Sequence, residues 1–254
     1  MPRVIAIANQ KGGVGKTTTA INLSACLAQD GKKVLVIDSD PQGNTSSGFG
    51  VEKESLEKTF YDLFIGNCYI EEVEVKTTIP NLKLLPTNVN LAGAEIELSG
   101  HEKPEFLLKN IIKNVKYLYD FVLIDCPPAL GRLTVNALTA ADTVLVPMQC
   151  EYFALEGLSQ LLYTITLVQK KLNKNLAIEG VVFTMYDSRT NLSMEVVEEV
   201  KKHIDGNVYR GIIPRNVRLS EAPSHGMPIT QYDPKSKGAQ AYIDLAAKVI
   251  AWKG

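Results

Sequence analysis

The 254-residue chain is poor in cysteine, lacks long apolar runs and carries a net charge of only −1. Each shortage excludes a class of protein. The four cysteines, Cys26, Cys68, Cys126 and Cys150, show no Cys-x-x-Cys pairing and no regular spacing. A disulfide framework or a zinc ribbon needs such spacing, so incidental or buried thiols in a reducing compartment are expected. No apolar stretch approaches the roughly 18 residues of a membrane-spanning helix. The N-terminus reads directly into a strand without a signal-peptide pattern, so a cytoplasmic location is expected. Repeats, linkers and low-complexity segments are also missing, which argues for one domain over residues 1–254. There is no helix-turn-helix, zinc-finger or RNP signature, so any nucleic-acid binding would be led by the phosphate backbone and indifferent to sequence.

What is present suits a soluble α/β protein. Hydrophobic residues make up 45% and charged residues 22%, enough apolar surface for a large core without metals or cross-links. The small net charge hides an asymmetry. Residues 201–254 hold nine Lys/Arg and four Asp/Glu, a surplus of five positive charges. That is a mild sign of an anionic partner for the C-terminal part.

Short apolar runs at 3–9, 33–38, 82–86, 121–125, 143–147, 180–185 and 209–214 read as strands. They are continuously hydrophobic rather than alternating, as expected of a parallel sheet covered on both faces. Helical patterns fall at 17–30, 105–117, 154–171, 190–204 and 237–252. The alternation predicts an α/β fold with a doubly wound, mostly parallel twisted sheet and helices on both faces. Residues 43–81 are the least regular and are expected to cover the sheet edge.

The strand at 3–9 runs into Gln-Lys-Gly-Gly-Val-Gly-Lys-Thr-Thr and then a helix, the context a phosphate-binding loop requires. Gly12, Gly13 and Gly15, with Val14 between, let backbone N–H groups face phosphate oxygens. Lys16 would reach the β- and γ-phosphates, Thr17 would ligate Mg²⁺, and Thr18 follows on the helix. Gln10 stands where the usual pattern has glycine, and a second lysine, Lys11, precedes the loop. Two ammonium groups repel in one dry pocket, so Lys11 is not expected to share the site of Lys16.

Other candidates sit at strand ends. Asp38 and Asp40 end the second strand, where open α/β sheets build their sites, and either could orient a water or hold a metal shell. Asp125 closes the apolar run Phe-Val-Leu-Ile-Asp, and its carboxylate should reach Mg²⁺ through a water. Arg189 and Arg218 lie among Lys201, Lys202, Arg210, Arg215, Lys235 and Lys237.

The string Lys-Gly-Gly-Val-Gly-Lys-Thr resembles the deviant Walker A motif of the ParA/MinD class of P-loop ATPases. The string at 34–44 resembles the switch segment of the same family, longer strings at 88–98, 150–162, 185–193 and 215–226 resemble its chromosomal, Soj-like ParA branch, and the likeness covers nearly the whole chain. The resemblance implies a weak, partner-stimulated ATPase using Mg²⁺. In it Lys11 reaches across a nucleotide-sandwich homodimer to the partner's phosphates. Asp40 would position the hydrolytic water, with Asp38 supporting the metal. Met185, Pro214 and Asn216 would line the adenine, and Arg189 and Arg218 would contact double-stranded DNA without sequence preference. A ParB-type adaptor and a nucleoid-associated location are implied as well. Two alternatives stand beside this reading. A MinD-like membrane switch would need a detachable basic amphipathic helix, but the tail at 239–254 has only Lys248 and Lys253 as cations and reads as docked on the core. An ATP-dependent biosynthetic ligase shares the loop but needs a second substrate pocket.

Overall fold

The computed structural model describes residues 2–151, 154–203 and 211–252. Among these residues, eight strands form one sheet: β1 Arg3–Ile7, β2 Val34–Asp38, β3 Val75–Lys76, β4 Leu82–Leu85, β5 Phe121–Asp125, β6 Thr143–Gln149, β7 Ala177–Tyr186 and β8 Gly211–Pro214. Their order is β3-β4-β2-β5-β1-β6-β7-β8. Every pairing is parallel except β3 with β4. The long helices are α1 Lys16–Gln29, α5 Leu107–Val115, α6 Arg132–Ala140, α7 Ala154–Lys171, α8 Asn191–His203 and α11 Lys237–Ala251. Shorter ones are α2 Asn44–Gly48, α3 Phe60–Phe64, α4 Leu91–Glu97, α9 Val217–Glu221 and α10 Ile229–Tyr232. The doubly wound architecture expected from the sequence is the one observed.

The period of two along each strand sorts the core into two layers. Val4, Ala6 and Ala8 join the layer under α5, α6, α7 and α8, while Ile5 and Ile7 join the layer under α1 and α11. Helix α1 is buried along most of its length, with Leu23 and Leu27 fully enclosed. Each such leucine contributes about 1.5–3 kcal/mol on leaving water. Asp30 caps the helix and Gly31 follows at φ 82°, so it ends where the sequence puts a residue free to turn left-handed.

Several boundaries differ from the sequence reading. Strand β1 stops at Ile7, although Ala8 N–H still donates to Leu145 O at 3.1 Å before the chain enters the loop. Strand β6 runs on to Gln149, and β7 begins at Ala177 with a register shift opposite Val144/Leu145. Expected residues 209–210 and 204 lie outside the described residues. The irregular segment 43–81 contains α2, α3 and the antiparallel edge strand β3, and it does reach the sheet edge.

The C-terminal helix is docked. Tyr242, Leu245, Ala246 and Val249 are buried against α1 and the sheet. Arg3 fastens its end: the guanidinium donates to Trp252 O at 3.1 Å and to Val249 O, lies between the Phe121 and Trp252 rings, and faces buried Glu179 at 3.6 Å.

Candidate nucleotide site

Strand β1 sits at the centre of the sheet because the chain winds outward through β2 and β4, returns with β5, then crosses to β6 on the other side. Loops leaving the C-terminal ends of β1, β2 and β5 therefore converge at the point where strand order reverses. The loop after β1 leads into α1 with Gly13 at φ 74° and Gly15 at φ 86°. A β-carbon at Gly15 would also come within 3.3 Å of the Thr184 methyl, so this position needs glycine for space as well as for backbone freedom. Helix α1 has no side-chain cap and no acidic residue in its first turn. Its N–H groups and dipole are left for an anion.

Lys16 is buried, 6% exposed, and its ammonium donates to Lys11 O at 2.9 Å, spanning the loop. Burial lowers its pKa, opposed first by the charge of Asp125. Lys11 lies elsewhere. Its backbone N–H donates to Asn9 Oδ1, its stem passes Gly157 of α7, and its ammonium is 3.7 Å from Glu151. The two lysines are thus separated, as charge repulsion requires.

The carboxylates come together through strand register. Asp38 of β2 is paired with Asp125 of β5, and both are wholly buried. Asp125 Oδ2 accepts from Thr17 Oγ1 at 2.9 Å and Thr45 Oγ1 at 2.7 Å, while Oδ1 has no hydrogen-bond partner among the described residues. Asp38 Oδ2 accepts from the N–H and hydroxyl of Ser46 at 2.8 and 2.7 Å. Burial raises the pKa of both; the Asp125 charge adds to the shift of Asp38, while the two threonine hydroxyls moderate that of Asp125. Asp40, 7% exposed, accepts from Gln42 N–H at 3.0 Å. A buried acidic pair with an orphaned oxygen beside a threonine hydroxyl is a fitting donor set for a hard divalent cation. The Cys126 thiol next to it is buried and pushed upward in pKa, by burial first and the Asp125 charge second, so it is not a thiolate.

A cavity of about 310 Å³ continues from the loop and is lined by Gly15, Thr18, Met185, Pro214, Asn216 and Tyr242 among others. The three residues expected at a base are therefore gathered beside the loop. Met185 holds φ 50°, rare for a residue with a side chain, and its sulfur accepts from Gln149 Nε2 at 3.0 Å. Asn216 caps α9, its amide oxygen accepting from Arg218 N–H at 2.8 Å. That bond leaves both amide hydrogens and the oxygen's second lone pair for a ligand.

Sequence reading missed four site residues. Gln149 donates to Gly13 O at 2.8 Å, and Thr184 Oγ1 donates to Val14 O at 2.8 Å. Thr45 and Ser46 tie α2 to the acidic pair. Thr184 was findable, because it stands near the C-terminal end of the strand expected at 180–185, whereas Gln149 lies two residues beyond the strand expected at 143–147. Larger cavities, such as the 490 Å³ one around Lys33, Lys76 and Lys83, lie away from this chemistry.

The two arginines are exposed but engaged. Arg189 forks onto Asp187 at 2.9 and 2.6 Å, a pairing that holds the Asp187 carboxyl well below the usual carboxylate range. Arg218 pairs with Glu221 at 2.8 Å and faces Asp233 at 3.6 Å. Arg210 lies outside the described residues.

A helix N-terminus left without cap or acid, over a buried lysine, is built to take phosphate. The fold and site are those of a P-loop nucleoside-triphosphate-binding protein. An AAA domain family model matches residues 2–178. The chain is 57% identical over 251 residues to the sporulation initiation inhibitor protein Soj of Bacillus subtilis, covering 99% of both chains. It is 52% identical over 251 residues to the chromosome partitioning protein ParA of Caulobacter vibrioides, covering 98% of this chain and 94% of the relative. It superposes with TM-score 0.88 and 38% identity on cobyrinic acid a,c-diamide synthase of Mycobacterium smegmatis with a bound ATP analogue and magnesium, covering 98% and 94% of the two chains. The chain belongs to the Soj/ParA family of P-loop ATPases. No helix among the described residues is long and apolar enough to cross a membrane.

Proposed function

We propose that residues 1–254 form one ATPase domain that acts as a switch in chromosome or plasmid partition. The observation that carries this reading is the separation of the lysines: Lys16 under the loop, Lys11 outside it beside α7. Lys16 and the N–H groups of residues 12–18 hold the β- and γ-phosphates. Lys11 supplies positive charge to the phosphates of a second copy, so catalysis requires an ATP-bound sandwich dimer. Asp40 positions the attacking water. Mg²⁺ is held by Thr17 and, through water, by Asp125, with Asp38 supporting; it offsets phosphate charge when bound. Met185, Pro214 and Asn216 contact the adenine.

Dimerisation places two copies of Arg189 and Arg218 on one duplex, and linked weak sites gain affinity through effective concentration. A ParB-type adaptor then stimulates the slow hydrolysis and releases DNA. The names of the relatives, ParA and Soj, support the partition role. The docked, Arg3-fastened C-terminal helix weighs against a MinD-like membrane anchor. The likeness to a diamide synthase favours one second reading, an ATP-dependent ligase. Co-sedimentation with DNA in ADP, in ATP and without nucleotide tests the proposal. ATP alone should promote binding; equal binding in all three, or transfer of phosphate to a metabolite instead of water, overturns it.

A further inference from the structure

Helix α2 begins four residues after Asp40, and its N-terminal half is tied to the buried carboxylates. Thr45 donates to Asp125, and Ser46 donates twice to Asp38. The Ser46 hydroxyl also accepts from Thr87 N–H at 3.0 Å. Among the described residues, no comparable side-chain bond holds the other end. That end is set by close packing of bare backbone. A β-carbon on Gly48 would fall 2.2 Å from Ile21 Cδ1 of α1. Beyond it, Gly50 at φ 75° lies directly on Gly226 at φ 64°. A β-carbon on Gly226 would sit 2.6 Å from Gly50 Cα and 3.0 Å from Gly50 N, both backbone atoms that cannot rotate away. The reverse approach is looser, since a β-carbon on Gly50 would meet Gly226 O at 3.3 Å.

Gly226 ends a turn at 222–225 that continues from α9. The same stretch carries Arg218, and Leu219, Ser220 and Pro223 from it line the cavity beside the loop. Leu219 and Ala222 share an apolar cluster with Phe49, the residue that ends α2. The contact therefore joins the segment bearing Asp40 to the segment that borders the base cavity.

We propose that Gly226 is a positioning residue for the hydrolytic centre: by presenting bare backbone to Gly50, it seats α2 and so fixes the placement of Asp40. The inference rests on the role given to Asp40 above. The nearest neighbours a β-carbon on Gly226 would meet are Gly50 and Ser47, not the phosphate loop or the acidic pair. The contribution of Gly226 is the space it leaves, and any side chain there lifts the end of α2 against a short helix whose other end is bonded to both buried carboxylates.

The geometry ranks three alanine variants. Gly226→Ala adds the closest clash and Gly50→Ala a milder one. Gly66→Ala, at φ 83° with nothing within 4 Å of its β-carbon, imposes the same left-handed strain without any contact. Steady-state ATPase and hydrogen exchange of the amides of residues 43–48 are measured for each, with melting temperature as the measure of strain. Displacement of a catalytic group by about an ångström lowers turnover by roughly 10- to 100-fold. Gly226→Ala should fall in that range in kcat with KM changed less than about threefold, since the phosphate loop is untouched. Its amides at 43–48 should exchange faster, Gly50→Ala should lie between, and Gly66→Ala should keep both readouts. If Gly226→Ala does not fold, Gly50→Ala against Gly66→Ala makes the same comparison. Equal kcat and equal exchange in all three, or losses that only track melting temperature, overturn the inference. Absence of ATPase in the unmodified protein would instead overturn the proposed function, and the exchange measurement would still decide the role of Gly226.

Discussion

The two ends of the proposed machinery are held by opposite means. At the nucleotide end, Lys16, Asp38 and Asp125 are buried and tied by backbone and hydroxyl partners fixed by strand register. At the C-terminal side, Arg189 and Arg218 are exposed and paired with carboxylates, Asp187 for the first and Glu221 and Asp233 for the second. A buried polar group left without its partner loses the full cost of desolvation, whereas an exposed ion pair exchanges readily for another anion. The first region is suited to fixed geometry, the second to reversible contact.

The largest effects should come from the residues proposed to act on the phosphates. Lys11→Ala and Asp40→Ala should each lower hydrolysis by about 1,000-fold or more, the scale of a charge or water-positioning group acting at a transferring phosphoryl. Both should still bind ATP, and Asp40→Ala should accumulate as an ATP-bound dimer in light scattering. Normal turnover in either variant counts against its role. Lys16→Ala should weaken ATP binding by about 100-fold, from losing charge-assisted bonds of roughly 1.5–3 kcal/mol each. Calorimetric titration with Mg²⁺-ATP measures this, and chelation of the metal should weaken binding in the parent protein too.

Smaller effects are expected at the adaptable end. Arg189→Glu or Arg218→Glu should reduce DNA affinity by about tenfold at low salt, alike for all sequences, with a shallower salt dependence and unchanged ATP binding. Asp187→Asn sharpens the contrast. Removing the carboxylate that Arg189 grips should raise DNA affinity by a few-fold, and unchanged affinity would mean that the pair does not compete with phosphate. The smallest change is Tyr242→Phe. It removes the buried 3.2 Å bond between the Tyr242 and Thr19 hydroxyls, at a cost of about 1 kcal/mol in denaturant unfolding.

The same contrast explains what could be read in advance. The phosphate loop, the strand-end aspartates and the alternation of elements are local patterns, so the sequence alone marks Lys16, Thr17 and Asp125 as candidates, and the fold brings Thr17 and Asp125 into contact. Helices α4 and α6 were not assigned, because the nine-residue stretch Arg132–Ala140 and the seven-residue stretch Leu91–Glu97 carry too few apolar turns to stand out. Strand β3, two residues long, has no periodicity at all. The basic cluster was legible as charge, but its pairing with Asp187, Glu221 and Asp233 was not.

By itself the sequence determined the chemistry available to this protein, since a glycine-rich loop between strand and helix dictates its own conformation through backbone freedom and the helix dipole. The tertiary structure alone decided which distant groups complete it. Asp38 meets Asp125 because β2 lies against β5, Thr184 reaches the loop because β7 is two strands from β1, and Gly226 rests on Gly50 because two turns far apart in the chain approach without side chains between them. Those meetings depend on register and packing across the whole sheet, which no local run of residues encodes.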